Sequence, residues 1–175
     1  LKITITNDQS DMIRKQLGEL ENSMILGIIL VVLVLFFFLG GRNSFFVGLA
    51  IPLSMFISFL VFSLIGYNLN MMMIFSLILA LGMVVDDAIV TTENTFRYVE
   101  RGVPRENASR YAVGEVAIPV IASTLTTLMA FFPLLFWDSI IGEFMKYIPV
   151  VLIITLGASL LVSLVITPVL TASMM

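Results

Sequence analysis

The sequence predicts an all-α polytopic membrane protein with five transmembrane helices, and two observations carry this. Hydrophobic residues make up 59% of the 175 and charged residues only 12%, with a mean hydropathy of +1.10; a soluble domain carries about 25% charged residues. The few charges are also clustered, which leaves uncharged runs beyond the roughly 18 residues that mark a transmembrane helix. A soluble fold is excluded. The net charge of −3 says little, because most charges sit in two short stretches. There is no basic tract of the kind that binds nucleic acid. With neither cysteine nor histidine present, a disulfide framework, a thiolate or imidazole metal site and a His-based catalytic triad are all absent, and no cofactor is expected.

Residues 1–22 are the one soluble-looking segment. Leu1, Ile3 and Ile5 alternate with Lys2, Thr4 and Thr6, the pattern of a half-buried strand. Asn7, Asp8, Gln9 and Ser10 read as a turn. Ile13, Leu17, Leu20 and Met24 then recur at helical spacing, so a helix is expected to run straight into the membrane. A lone strand has no partner, so this segment is expected to be the stub of a larger extramembrane domain. The absence of an initiator methionine or signal-peptide pattern at Leu1, and the apolar run that closes the sequence, read as a segment of a longer chain.

The transmembrane domain is expected over residues 23–175, with spans at about 23–41, 44–66, 71–92, 116–137 and 148–172. Each matches the length that a bilayer core of about 30 Å requires. Pro52, Pro119, Pro133 and Pro168 lie within them, tolerable where neighbouring groups satisfy the freed carbonyls. Residues 93–115 form a charged helical connector: Gly102 breaks the third helix and Pro104 is placed to open the next. Arg97, Arg101, Arg105 and Arg110 are nearly balanced there by Glu93, Glu100, Glu106 and Glu115, as in a solvated, salt-laced helix. The first and third loops hold arginines, whereas the second and fourth hold a single cation, Lys146, beside Tyr67, Trp137 and Tyr147. The positive-inside rule therefore puts the arginine loops in the cytoplasm and residues 1–22 outside.

Asp86 and Asp87 are the residues that carry chemistry. Counted from Met71, Asp86 lies roughly 22 Å into the third span, where an ionised carboxylate costs at least about 2.5–3.5 kcal/mol. The alternative is a tilted helix that brings both to the interface. Adjacent positions point about 100° apart, so the pair presents two carboxyls to different neighbours rather than chelating one ion. Close carboxyls in low dielectric titrate as a coupled pair. No lysine or arginine lies in the five spans, so neutral aspartates are the least costly state here. Uptake and loss of a proton is the chemistry such a pair supports.

Ser123, Thr124 and Thr127 share a face of the fourth span and either bond the aspartates or a water chain, or bond back to their own helix. Thr155, Ser159, Ser163 and Thr167 recur every four residues in the fifth span; that stripe reads as close helix packing. The eleven methionines read as membrane-core filler rather than a copper site. No nucleophile–base pair points to an enzyme.

The run Gly82-Met83-Val84-Val85-Asp86-Asp87-Ala88-Ile89-Val90, followed by Glu93-Asn94, resembles the resistance–nodulation–division (RND) efflux pumps, whose fourth transmembrane helix carries G-x-x-V-D-D-A-I-V-x-x-E-N. The G-x-P at Gly102–Pro104 and the T-P-x-L at Thr167–Leu170 agree, and the likeness covers essentially all 175 residues. It implies a partial RND half-bundle, helices two to six of a twelve-helix parent, and makes the extramembrane domain of residues 1–22 periplasmic. The double aspartate looks like the hydrophobe/amphiphile exporter branch. The resemblance further implies a bacterial inner-membrane drug/proton antiporter, homotrimeric, working with a periplasmic adaptor and an outer-membrane channel. Asp86 and Asp87 would be its proton relay, and the hydrophobic or amphiphilic export substrates would bind outside this segment. The other reading is a membrane domain of the same superfamily used for sterol sensing or protein translocation.

Overall fold

A computed structural model describes the backbone of residues 9–39 and 41–174, and every regular element among them is helical. In chain order these are α1 (Gln9–Leu39), α2 (Gly41–Ile65), α3 (Met71–Glu100) and α4 (Arg105–Phe131), which continues into a 3₁₀ turn (Phe132–Phe136). After them come the short α5 (Ile140–Met145), then α6 (Tyr147–Leu161), a π turn (Val162–Ile166) and α7 (Thr167–Met174) as one rod. Five helical stretches are long and apolar enough to cross a membrane: Met12–Val34, Ser44–Ile65, Met71–Glu100, Arg105–Phe136 and Ile140–Ala172. The helix is the form an apolar run must take there, because each backbone N–H and C=O finds its partner within the segment.

The expected strand at Leu1–Ile5 lies outside the described residues. Of the expected turn, Gln9 and Ser10 belong instead to the first turn of α1, since the helical ladder of this segment starts earlier than its polar residues suggest. From there α1 runs unbroken past Ser23, as the periodicity predicts. The connector at 93–115 is helical on both sides of a break at Gly102, with Pro104 capping the next helix, as expected. The ladder of α3 continues to Glu100 and that of α4 begins at Arg105, so only Arg101–Pro104 turn the chain.

Local chemistry explains where the helices stop. Gly66 (φ +80°) and Gly102 (φ +82°) are left-handed, a conformation glycine enters without a Cβ penalty. Each closes a paired set of bonds over the last carbonyls. Tyr67 N–H donates to Phe62 O at 3.0 Å and Gly66 N–H to Ser63 O at 3.3 Å; Val103 donates to Tyr98 O at 3.2 Å and Gly102 to Val99 O at 2.9 Å. This is the Schellman arrangement. At the other end, the Asn70 side chain accepts from Met73 N–H at 2.8 Å and so caps α3. The 3₁₀ turn follows from Pro133, which has no N–H to continue the ladder.

Helix α3 is the central element, packed by α1, α2, α4 and α6. Its core side joins Met73, Leu77, Leu81, Val85 and Ala88 to Val47, Ile51 and Met55 of α2 and to Val151 of α6. Small residues at these contacts, among them Ala80, Ser54 and Ser58, let the backbones approach closely, the main source of association where lipid removes the hydrophobic drive. Helices α1 and α4 carry large apolar side chains outward instead, among them Leu26, Leu30, Ile118 and Met129.

Candidate functional site

Asp86 and Asp87 leave α3 in different directions and reach different surroundings. Asp87 is 8% exposed, in the angle between α3, α4 and α6, whereas Asp86 is exposed. One carboxylate oxygen of Asp87 accepts from Thr124 Oγ1 of α4 at 3.4 Å, and the other accepts from Ser159 Oγ of α6 at 3.1 Å. Both hydroxyls have a second acceptor nearby. Thr124 Oγ1 lies 2.9 Å from Val120 O and Ser159 Oγ 2.9 Å from Val84 O. Each hydroxyl has one proton, so it can turn between Asp87 and a backbone carbonyl, of its own helix for Thr124 and of α3 for Ser159.

Beside the pair lies a cavity of about 60 Å³ lined by Met83, Asp86, Asp87, Ser123, Thr124, Thr127 and Leu156. That is room for water, and its polar lining supplies the partners a buried water needs. Among the described residues the salt bridges are Arg97–Glu93 and Lys146–Glu143; neither involves the aspartates.

The hydroxyls foreseen on α4 are thus divided. Thr124 reaches Asp87, while Ser123 and Thr127 line the cavity. Thr127 Oγ1 donates to Ser123 O at 3.1 Å, the bond back to its own helix. Ser159 is the residue that sequence reasoning missed, since its four-residue stripe reads as packing. Packing is indeed there, with Thr155, Ser159, Ser163 and Thr167 all at most 2% exposed. Yet one member of the stripe holds Asp87, and only its height relative to Asp87 distinguishes it. Thr155 Oγ1 and Thr92 Oγ1 are buried without a hydrogen-bond partner.

The frame of the site is tied together at its arginine-bearing end. Asn94 Nδ2 donates to Ala112 O at 3.2 Å and to Glu115 Oε2 at 3.0 Å, and Tyr98 OH donates to the same Glu115 oxygen at 3.1 Å. These bonds lock α3 to α4 about two to three turns beyond Asp87. Ser109 Oγ donates to Pro168 O at 2.8 Å and locks α4 to α7. In the Glu93-Asn94 pair, Glu93 binds Arg97 one turn along the same helix and Asn94 makes the cross-helix tie.

The family model described as the AcrB/AcrD/AcrF family matches residues 1–175. The chain is similar to the multidrug resistance protein MdtC of Serratia proteamaculans, 37% identical over 98% of this chain. It is also similar to MdtC of Pectobacterium carotovorum subsp. carotovorum, at 36% over 100%, and of Yersinia enterocolitica, at 35% over 100%. The chain spans about 17% of the length of each of these curated relatives.

Proposed function

The chain belongs to the AcrB/AcrD/AcrF family, and on that premise we propose that it is the transmembrane proton-relay part of a proton-driven RND pump exporting hydrophobic or amphiphilic compounds. Asp86 and Asp87 are its relay. The observation that carries this reading is the burial of Asp87 inside a membrane-spanning bundle, between hydroxyls from two other helices. The multidrug resistance names of the relatives favour export over sterol sensing or protein translocation. The whole pump is a bacterial inner-membrane homotrimer with a periplasmic adaptor and an outer-membrane channel. Its substrates bind in parts outside these residues. Its chemistry is transport rather than catalysis.

The geometry suggests how a proton moves helices. An ionised Asp87 is acceptor-only and draws both hydroxyl protons toward itself. A protonated Asp87 carries a donor of its own, so Thr124 or Ser159 must turn its proton elsewhere, and each has a backbone carbonyl within reach to receive it. Charge on Asp87 therefore biases how α4 sits against α3, since Thr124 alone trades a bond to α3 for one within its own helix, whereas both acceptors of Ser159 lie on α3. Transport follows if those two arrangements are the states between which the pump alternates. The cavity at Asp86 and Asp87 gives water a place to deliver the proton.

The test is Asp86→Asn and Asp87→Asn in the full-length pump. Asparagine keeps the shape of a protonated aspartate but cannot lose a proton. Each variant is expected to abolish efflux while expression, trimerisation and drug binding stay near normal. Wild-type resistance at equal expression in either variant would remove that aspartate from the relay.

A further inference from the structure

The residues that α4 buries are Ala108, Ser109, Ala112, Val120 and Thr124. Four of them, Ala108, Ala112, Val120 and Thr124, lie on one i+4 row of side chains. The apolar members of that row are two alanines and a valine, a smooth seam. It lets α4 come close to α3 but does little to fix its height along α3. Height matters at Thr124. Its hydroxyl stands 3.4 Å from Asp87 Oδ1 and 2.9 Å from Val120 O, where about 2.5–3.0 Å is usual for O–H···O. On so long a contact, a slide of α4 by roughly half an ångström decides whether Thr124 bonds Asp87 or only its own helix.

Asn94 supplies what the seam lacks. Asp87, Thr91, Asn94 and Tyr98 follow one another at four, three and four residues, so they share one face of α3. From that face Asn94 Nδ2 donates to Ala112 O at 3.2 Å and to Glu115 Oε2 at 3.0 Å. Ala112 O is backbone, so no side-chain rotation on α4 can absorb a change in this bond. The Tyr98–Glu115 and Asp87–Thr124 contacts are 11 residues apart on α3 and nine apart on α4, about 16 Å against about 14 Å. The tie and the aspartate site therefore lie on one antiparallel register. A single asparagine in an apolar helix seam is an established way to specify register. The Ser109–Pro168 bond holds α4 to α7 and leaves its height on α3 free.

We propose that Asn94 is a positioning residue, whose bonds to Ala112 O and Glu115 set the height of α4 on α3 and so keep the Thr124 hydroxyl within reach of Asp87. Its effect on transport rests on the proton-relay reading; its effect on the surroundings of Asp87 does not.

The experiment uses the full-length pump. Asn94→Ala is expected to lower resistance severalfold at equal expression, and to cost nothing further once Thr124→Val is present, because the two act through one bond. The carboxyl bands that Asp87→Asn removes from the infrared spectrum report the bonds of Asp87. Asn94→Ala is expected to shift them as Thr124→Val does. Asn94→Asp keeps the side-chain shape, loses both donors and sets a carboxylate against Glu115, so it is expected to lower resistance as well. Adding Glu115→Gln returns a donor across the same gap and is expected to recover most of the loss, a check that holds even if Asn94→Ala does not fold. Bands that stay in place in Asn94→Ala overturn the proposal, whatever the resistance. So does an equal loss from Asn94→Ala with and without Thr124→Val, and so does a pair of Asn94→Asp and Glu115→Gln that recovers nothing. Full resistance in Asp87→Asn would instead remove the relay reading, and the band shift would still decide whether Asn94 positions Thr124.

Discussion

Asp86 and Asp87 share a motif and a depth, yet a turn of about 100° between them leaves Asp86 exposed and Asp87 among hydroxyls. The two hydroxyls that touch Asp87 come from residues 37 and 72 positions away. Ser159 makes the shorter of these contacts, and a hydrogen bond to a charged group contributes about 1.5–3 kcal/mol. Ser159→Ala is therefore expected to lower resistance severalfold at equal expression, as read by growth inhibition in cells carrying the full-length pump. Unchanged resistance would mean that Ser159 only packs. Thr155, one turn away in the same stripe, is a control of opposite sign. Its hydroxyl is buried without a partner, and replacing such a group by an apolar one of equal shape is neutral or stabilising. Thr155→Val is expected to leave resistance intact and to hold or raise the thermal midpoint of the purified protein; a clear drop would point to a water bound at that hydroxyl.

At the scale of single elements, the ends and the irregular turns carry the information. Gly102 sits at φ +82°, where a Cβ costs roughly 1–2 kcal/mol. Gly102→Ala is expected to lower the thermal midpoint by about that free energy without changing span number, and calorimetry of the purified protein reads it. The π turn at Val162–Ile166 has a chemical cause one residue beyond Thr167. Pro168 offers no N–H to Leu164 O, and its ring crowds that carbonyl. Thr167 N–H reaches back to Val162 O instead, and the widened turn makes room. Restoring the donor with Pro168→Ala is expected to close the turn into regular helix and slow amide exchange over 162–168. Exchange that stays equally fast would assign the wide turn to packing against α2 and α3 rather than to the proline.

For the molecule as a whole, five spans put successive loops on alternate sides of the bilayer. Asn68 lies in the turn between α2 and α3, and Asn107 in the first turn of α4; both are exposed. Because these 175 residues contain no cysteine, a single Asn68→Cys or Asn107→Cys places one thiol at a known point in them. An impermeant thiol reagent is expected to reach Asn68→Cys from outside and Asn107→Cys only from the cytoplasm. Reaction of both from one side of sealed vesicles would refute the five-span topology. At the arginine-bearing end the Asn94–Glu115–Tyr98 cluster and the Ser109–Pro168 bond tie α3, α4 and α7 together.

The amino-acid sequence by itself determined the five spans and the break at Gly102. Each is a local property: a run of apolar side chains long enough for a bilayer, a residue without a Cβ. It also carried the family, because Val85-Asp86-Asp87-Ala88 and its neighbours are contiguous. Other matters were decided only by the tertiary structure. These were which aspartate is enclosed, that Ser159 binds it while Thr155 binds nothing, and that Asn94 reaches across to α4. The physical reason is that periodicity tells which residues share a face of one helix. It does not tell which face of another helix, 72 residues further along, comes to rest against it at the same height.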